Sequence, residues 1–204
     1  MRKESVGVTE ALLKQAQHEF LQYGFRDASL RRISADSGVS TNSIYTRFQD
    51  NAGLFKALVK PAADGLMEIY QDSISGAADS KEVAGAFRYG DQGTEDVLKY
   101  VYEHFVEFKL IFCHSQGTEY EHFLDELAQK EEAFYRSFAK QYATSKAQIN
   151  DFFIHVVCRM GWQYIYEVVS HDLTYQEAKA FMENIRQYSF AGWKCVLGME
   201  SLDL

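Results

Sequence analysis

Apolar residues recur at every third or fourth position along most of the chain, which is the spacing of amphipathic helices. Leu12, Ala16 and Phe20 form the first such stripe, and Gly24 then favours a helix end. The single proline and the thirteen glycines leave few interruptions for the turns of an all-β fold. The pattern therefore predicts an all-α protein of about nine helices.

Polar residues that can bond the free amides at a helix start predict where the helices begin. Ser29 and Ser40 precede two short apolar patterns, which Gly38 separates. Asp50 precedes a longer pattern that contains Pro61, where we expect a kink or a split. The later starts are predicted by Asp79–Glu82, Thr94, Thr118–Glu121, Ser145–Gln148 and Thr174–Glu177. Two of the predicted helices follow Ser40 and Asp50. The others cover about 8–23, 29–37, 80–89, 94–114, 119–143, 147–170 and 175–197.

Composition and charge narrow the class of protein. The chain has 204 residues, of which 47% are apolar and 25% charged, as in ordinary globular proteins. The net charge is −8, but the first sixty residues hold nine Lys and Arg against six Asp and Glu, whereas the rest hold twelve against twenty-three. We therefore expect only the N-terminal part to meet a polyanion.

Other classes of protein are not favoured. Cys113, Cys158 and Cys195 lie far apart, so neither a disulfide framework nor a zinc site is indicated. The N-terminus lacks the apolar core of a signal peptide, and no run approaches the ~20 apolar residues of a membrane span. We expect a cytoplasmic protein with no membrane partner, no metal and no cofactor. The sequence has no phosphate-binding loop and no hydrolase motif, so an enzyme is not expected.

Two short helices joined by a turn at Gly38 form the pattern of a helix-turn-helix. The first fifty or so residues resemble the DNA-binding domain of the TetR family of bacterial regulators. The resemblance is carried by Leu12, Ala16, Phe20, Gly24-Phe25, Ser29-Leu30, Ile33, Gly38-Val39-Ser40, Ile44-Tyr45, Phe48 and Leu54. It implies a DNA-binding domain over residues 1–50 and an effector-binding and dimerisation domain over 51–204. Asn51 stands where the family usually has a phosphate-contacting lysine.

The start of the third helix is the segment predicted to contact the bases of double-stranded DNA, because a recognition helix enters the major groove with its N-terminal end. Asn42 has the amide geometry for adenine, and the methyl group of Thr41 can contact thymine. The alternative is that these are merely solvated residues of a first turn. The full set of candidate DNA-binding residues is Ser29, Arg31, Ser40, Thr41, Asn42, Ser43, Tyr45 and Arg47.

The remaining helices suggest two further surfaces. Aromatic residues in the middle of the chain can be plain core or can line a small-molecule pocket. The candidate ligand-binding residues are Tyr102, Glu103, Phe105, Glu107, Phe108, Phe112, Phe123 and Phe134. The last two helices carry apolar arcs wider than one core contact requires, which favours a homodimer. The candidate interface residues are Phe153, Val157, Gly161, Tyr164, Ile185, Tyr188 and Gly192.

These features predict a transcriptional regulator, either a repressor released from a palindromic operator by a small-molecule effector or an activator. One short helix reads too few base pairs for specificity in a genome, so a dimer is expected. The alternative function is a helical ligand- or partner-binding protein whose helix-turn-helix no longer binds DNA. Asn51 and the modest basic charge of the N-terminal part are the features that keep this alternative open.

Overall fold

A computed structural model describes residues 6–80, 82–144 and 149–199 of the chain. Within these ranges the secondary structure is entirely helical, with nine helices, which confirms the predicted fold class. The helices are α1 (Val6–Asp27), α2 (Leu30–Ser37), α3 (Thr41–Phe48), α4 (Asn51–Ala78), α5 (Val83–Glu103), α6 (Phe105–Cys113), α7 (Phe123–Tyr142), α8 (Asp151–Ser170) and α9 (Tyr175–Val196). None of the helices in this part of the chain is long and apolar enough to cross a bilayer.

The chain divides into two compact units. The first contains the described residues up to 64 together with 104–123, and the second contains 65–103 together with the described residues from 124 onward. The predicted functional boundary after residue 50 stays a prediction, because compactness alone does not assign function to either side of it.

Apolar stripes from successive helices form the core of the first unit. Leu12, Ala16 and Phe20 of α1 are fully buried, as the sequence pattern predicts. The ring of Phe55 meets that of Phe20 edge to face, with centroids 5.1 Å apart. Within the span of α1, Gly24 adopts φ 72° and ψ 169°, a non-helical conformation that is open almost only to glycine, so the helical geometry ends at this residue, as predicted, and resumes after it.

The second unit is built around large aromatic side chains. Phe138 of α7 and Trp193 of α9 are both buried in it. Tyr135 stacks face to face on Trp193, with ring centroids 4.4 Å apart and an interplanar angle of 3°. The aromatic residues of the second half of the chain are therefore first of all core residues, which is the simpler of the two predicted roles.

The predicted boundary between helices near residue 90 is wrong. Helix α5 runs through Gly90, Gly93 and Thr94 and ends only at Glu103. Gly93 lies inside α5 as a packing residue, because a Cβ there would lie 1.9 Å from Ser73 Oγ. The Thr94 hydroxyl donates to the Gly90 carbonyl at 3.0 Å, so it bonds inside the helix rather than capping a new one.

Two other predicted helix starts are also wrong. Helix α7 begins at Phe123, because Thr118 and Glu121 bond within a turn: the Thr118 hydroxyl donates to the Ser115 carbonyl at 2.7 Å, and a Glu121 carboxylate oxygen accepts from Gly117 N at 2.8 Å. Helix α5 begins at Val83, and ahead of it the Ser80 hydroxyl bonds the backbone of Glu82 in place of the predicted capping box between Asp79 and Glu82.

The remaining starts divide into those that the structure confirms and one that it does not describe. The capping box of Thr174 and Glu177 is present, and Asp50 Oδ1 accepts from Gly53 N at 2.8 Å. Residues 145–148, which hold the predicted box before α8, lie outside the described residues, and Asn150 caps α8 with a bond from Phe153 N at 2.8 Å.

Helix α4 passes through Pro61 without the split that the proline predicts. A proline removes one amide donor and crowds the carbonyl four residues earlier, but Pro61 lies on the exposed side, where water can bond that carbonyl. The next residues, Ala62 and Ala63, are buried and hold the helix from its other side. The residues of α4 belong to both compact units, with the division after Asp64.

Candidate nucleic-acid interface and cavity

Helices α2 and α3 are joined by a tight turn that fixes how α3 is presented. Gly38 ends α2 in the left-handed conformation with φ 69°, and Ser40 then caps α3, its Oγ accepting from Ser43 N at 3.2 Å. The buried side chains of Val39 and Ile44 anchor the turn and the inner face of α3. The segment therefore has the architecture of a helix-turn-helix.

The opposite face of α3 is open to solvent. Ser40 and Asn42 are exposed, Thr41 and Ser43 are half-buried, and 54% of Tyr45 is accessible. Asn42 uses its backbone carbonyl to accept from the Thr46 hydroxyl at 2.8 Å, which leaves its amide side chain at the surface. The residues predicted to contact bases thus lie together on the outward face of one short helix.

The two candidate arginines differ in their surroundings. Arg31 is exposed on α2, where it can reach a phosphate. Arg47 donates to Thr9 Oγ1 at 2.8 Å, so it links the end of α3 to α1. A guanidinium in that position keeps its positive charge near α3 while it also positions the helix.

The residue that orients the start of α2 was not predicted from the sequence. Glu19 is buried, and its Oε1 accepts from Ser29 N at 2.7 Å and from Arg32 Nε at 2.8 Å. Ser29 occupies the N-cap position but makes no side-chain cap bond, so the predicted capping role of its hydroxyl is wrong. A carboxylate from α1 bonds an amide at the helix start instead, where negative charge is favoured.

The junction between α3 and α4 is unusually tight. Gln49 has φ 70° and ψ −53°, and Asp50 N donates to the Phe48 carbonyl at 2.9 Å. This is a γ-turn with a positive φ, a strained form that is rare for a residue other than glycine. The same carbonyl faces Gly53, where a Cβ would lie only 1.8 Å from the oxygen.

Asn51, which replaces the lysine usual in the resembled family, points into the first unit. Its Nδ2 donates to the Ala28 carbonyl at 3.1 Å, so it ties the start of α4 to the segment before α2. Lys56, one turn further on, lies 2.8 Å from Glu119 in an exposed ion pair. A phosphate contact by Lys56 therefore competes with a carboxylate that already holds it.

A cavity of about 320 Å³ lies within the second unit. Residues from α4, α5, α7, α8 and α9 line it, and most of these residues are apolar or aromatic. A space of this size and lining is typical of a site for a small organic molecule. Among the eight candidate ligand-binding residues, Phe134 alone lines it.

The other seven candidate ligand-binding residues lie elsewhere. Tyr102 donates its hydroxyl to the Leu173 carbonyl at 2.9 Å, and Glu103 is exposed 3.8 Å from Lys99. The remaining five belong to the first unit, where Phe108 and Phe123 are buried: they are Phe105, Glu107, Phe108, Phe112 and Phe123. Their role in binding a ligand stays a prediction.

Glu131 of α7 is the polar residue that distinguishes this cavity. Its Oε2 is buried, and among the described residues it has no hydrogen-bond partner; the same is true of Trp162 Nε1 on α8. Burial raises the pKa of Glu131 to about 8, and the nearby Trp162 indole lowers it only in part. Sequence periodicity could not single out this glutamate, because α7 carries many acidic residues at similar spacing.

Helices α8 and α9 expose large apolar side chains. Phe152 is 74% exposed, Met160 45% and Tyr188 69%, with Val156 between the first two on α8. The stripe on α8 is one position away from the predicted residues Phe153 and Val157, which are half-buried. All seven candidate interface residues line the cavity: Phe153, Val157, Gly161, Tyr164, Ile185, Tyr188 and Gly192. Two of them, Tyr188 and Gly192, are also exposed to solvent.

The described residues hold no group of three or more His, Cys, Asp or Glu side chains that could bind a metal ion. His155 Nδ1 lies instead 2.9 Å from Glu132 Oε1. Burial raises the pKa of the Cys158 thiol far above its ordinary value.

The geometry of α2 and α3 defines a helix-turn-helix, and the secondary structure of the other described residues is also helical. Residues 12–58 match the family model described as bacterial regulatory proteins of the tetR family. The matched segment contains the whole of α2 and α3, and it agrees with the resemblance that the sequence predicts for the N-terminal part of the chain.

Several solved structures have a similar fold. The TetR family transcriptional regulator PfmR from Thermus thermophilus is 14% identical, with 86% of this chain and 97% of that chain covered and a TM-score of 0.61. The fatty acid degradation regulator FadR from Bacillus halodurans is 11% identical, with coverages of 88% and 96% and a TM-score of 0.55. At these identities the likeness shows a shared fold. No curated protein sequence matches the chain significantly.

Proposed function

We propose that the protein is a cytoplasmic repressor that binds a palindromic operator as a homodimer and leaves it when a small molecule occupies the cavity. The observation that carries the proposal is the outward face of α3, with Asn42 and Tyr45 exposed at the surface and Ile44 anchoring the helix from behind. A recognition helix needs this division between an anchored and a free face.

In this proposal Asn42 reads an adenine edge in the major groove and Thr41 contacts a thymine methyl. The hydroxyls of Ser40, Ser43 and Tyr45 reach phosphates, as does Arg31 at the exposed surface of α2. Such phosphate contacts fix the register of the protein on the duplex and make binding depend on salt. Ser29 and Arg47 contribute mainly by positioning the helices, since both are engaged in contacts with α1.

The direct experiment is selection of operators from a random DNA pool with the purified full chain. Two half-sites with centres about 34–36 Å apart are expected, since two recognition helices must reach successive major grooves. Asn42→Ala should weaken binding to the selected site by roughly tenfold or more. Gln163→Ala, which removes an exposed amide from α8, is the matched control and should leave affinity unchanged.

Failure to bind random DNA even at low salt would refute the proposal. It would favour a helical ligand- or partner-binding protein that has lost DNA affinity. That second candidate is supported by Asn51, whose side chain points inward, and by Lys56, which Glu119 already neutralises. Measurable binding that weakens steeply with salt favours the regulator instead.

The homodimer is proposed to form through the exposed stripe of Phe152, Val156 and Met160 on α8 together with Tyr188 on α9. Exposed apolar side chains at this spacing are typical of an interface, and a two-fold pair of such faces covers both stripes. We expect Phe152→Glu to convert the dimer to a monomer in analytical ultracentrifugation. Tyr89→Glu, at a half-exposed aromatic position on α5, is the control, and a dimer that survives Phe152→Glu would refute this interface.

Effector release requires a molecule that binds one conformation better than the other. The cavity offers the space, and α4 offers a continuous helix whose residues belong to both compact units. In this proposal, α4 carries the change from the cavity to the DNA-binding domain.

A further inference from the structure

One acidic group of the cavity lining, Glu131, has no cation beside it in the part of the chain that the structure describes. The lining includes two carboxylic acids, Asp91 and Glu131, and one basic residue, Arg186. Arg186 Nη1 lies 3.0 Å from Asp91 Oδ2, and its Nη2 lies 2.7 Å from Glu183 Oε1. The cation of the cavity is thus already shared by two carboxylates, and Glu131 has no counter-ion among the described residues.

The hydrogen-bonding groups around Glu131 are also incomplete. Its Oε2 and Trp162 Nε1 are both buried and make no well-formed hydrogen bond in the described part of the chain, although the indole lies close enough to lower the pKa of the carboxyl group. A buried donor or acceptor without a well-formed hydrogen bond is unfavourable, so a ligand that supplies a better partner is favoured. Gly161 leaves room beside the carboxylate, because even a Cβ there would lie 3.7 Å from Oε2.

Aromatic rings line the same cavity as this carboxyl group. Tyr70 meets Trp162 edge to face at 4.9 Å, and Tyr135 and Trp193 are stacked at 4.4 Å. All four rings belong to the cavity lining. Aromatic faces attract cations through their quadrupoles and also accept an apolar ligand body, whereas a second anion beside a carboxylate is disfavoured.

We propose that the cavity binds an organic cation, an ammonium group carried on an aromatic or branched apolar body, with Glu131 as its counter-ion. This inference rests on the proposed function, since it names the chemical class of the effector. Glu131 is then the residue that selects for charge, and the aromatic rings select for an apolar body of limited size.

Ionisation of Glu131 links binding to proton release. With its pKa at about 8, the empty site holds a protonated carboxyl group at neutral pH. The groups that face it from the neighbouring helices are Tyr70, Tyr135 and Cys158, and burial raises the pKa of each, so they stay uncharged. The remaining charges at the cavity are the paired Asp91 and Arg186. A bound cation favours the carboxylate, so the complex forms with loss of one proton.

The test is isothermal titration calorimetry of the full chain without DNA, using naphthylmethylammonium, naphthylmethanol and naphthylacetate as probes of matched shape. The cation should bind at least about tenfold more tightly than the alcohol, and the anion most weakly. Glu131→Gln should weaken cation binding by about tenfold or more and leave the alcohol within about threefold. Glu103→Gln, at an exposed glutamate that does not line the cavity, is the control and should change nothing.

A readout on the unaltered protein covers the case in which Glu131→Gln does not fold. Because the cation displaces the Glu131 proton, which the buffer then takes up, titrations near pH 7 in phosphate and in Tris should differ in heat by the difference between the ionisation enthalpies of the two buffers, for about one proton. Any of four results would overturn the inference. The protein could prefer naphthylacetate or the alcohol, or fail to bind the cation. The affinity for the cation could fall equally in both glutamate variants, or binding could release no proton. Operator binding by the same preparation is measured separately, so the proposed function can survive that failure.

Discussion

Substitution of Gly53 by alanine tests whether the tight junction between α3 and α4 positions the recognition helix. The added methyl group would lie 1.8 Å from the Phe48 carbonyl oxygen and 2.9 Å from its carbon. Both atoms are backbone, so no side-chain rotation can relieve the clash. Ordinary contact begins at 3.4 Å, and either the end of α3 or the start of α4 must therefore move by more than an ångström.

Two opposing contributions set the expected change in the free energy of unfolding. Crowding of a packed site costs about 1–3 kcal/mol, whereas alanine is favoured over glycine in a helix by about 1 kcal/mol. Gly90→Ala in α5 isolates the second contribution, because a Cβ there has nothing within 4 Å. We expect Gly53→Ala to be less stable than Gly90→Ala by about 1–3 kcal/mol.

The assays are urea unfolding followed by circular dichroism and fluorescence anisotropy on the selected operator. Because α3 is displaced, we expect Gly53→Ala to weaken operator binding by roughly ten- to hundredfold, equivalent to one or two lost base contacts. Gly90→Ala should bind as the unaltered protein does. If Gly53→Ala matched Gly90→Ala in both stability and affinity, the junction would not constrain α3 and the reasoning would be refuted.

Three further substitutions test other features. Gln49→Gly should raise the free energy of unfolding by about 1 kcal/mol in urea titrations, because glycine relieves the positive φ; an unchanged or lower value contradicts the strained turn. Pro61→Ala should alter the effector dose response more than operator affinity in anisotropy titrations, and an identical dose response would exclude its role in α4. Burial raises the pKa of Glu131 to about 8, so between roughly pH 5 and pH 8 the folded state holds a proton that the unfolded state has lost. The free energy of unfolding should therefore fall over this range in urea titrations, and it should fall less in Glu131→Gln. Equal pH slopes in the two proteins would count against a buried carboxyl group.

The sequence was sufficient for the parts of the fold that depend on local pattern. The stripe of Leu12, Ala16 and Phe20, the cap at Ser40 and the capping box at Thr174 are all present, since each involves neighbours within one or two helical turns. Thr94 misled the prediction, because its hydroxyl bonds the Gly90 carbonyl inside α5 instead of capping a new helix. A threonine that bonds within a helix and one that caps a helix look alike in sequence.

The candidate sites show the same limit. The exposed residues of α3 were predictable from the helix-turn-helix pattern alone. The cavity was not, because its lining combines five helices whose relative rotations depend on packing. Glu19 and Glu131 are ordinary glutamates in the sequence, and burial against residues distant along the chain gives them their roles.

Met160 and Tyr188 belong both to the cavity lining and to the exposed apolar face. If two copies pair through that face, each copy covers part of the rim of the other copy's cavity. A captured molecule would then escape mainly during the intervals when the pair has separated. The residence time of the bound molecule would then increase with the concentration of the protein, because a higher concentration shortens the intervals in which the copies are apart.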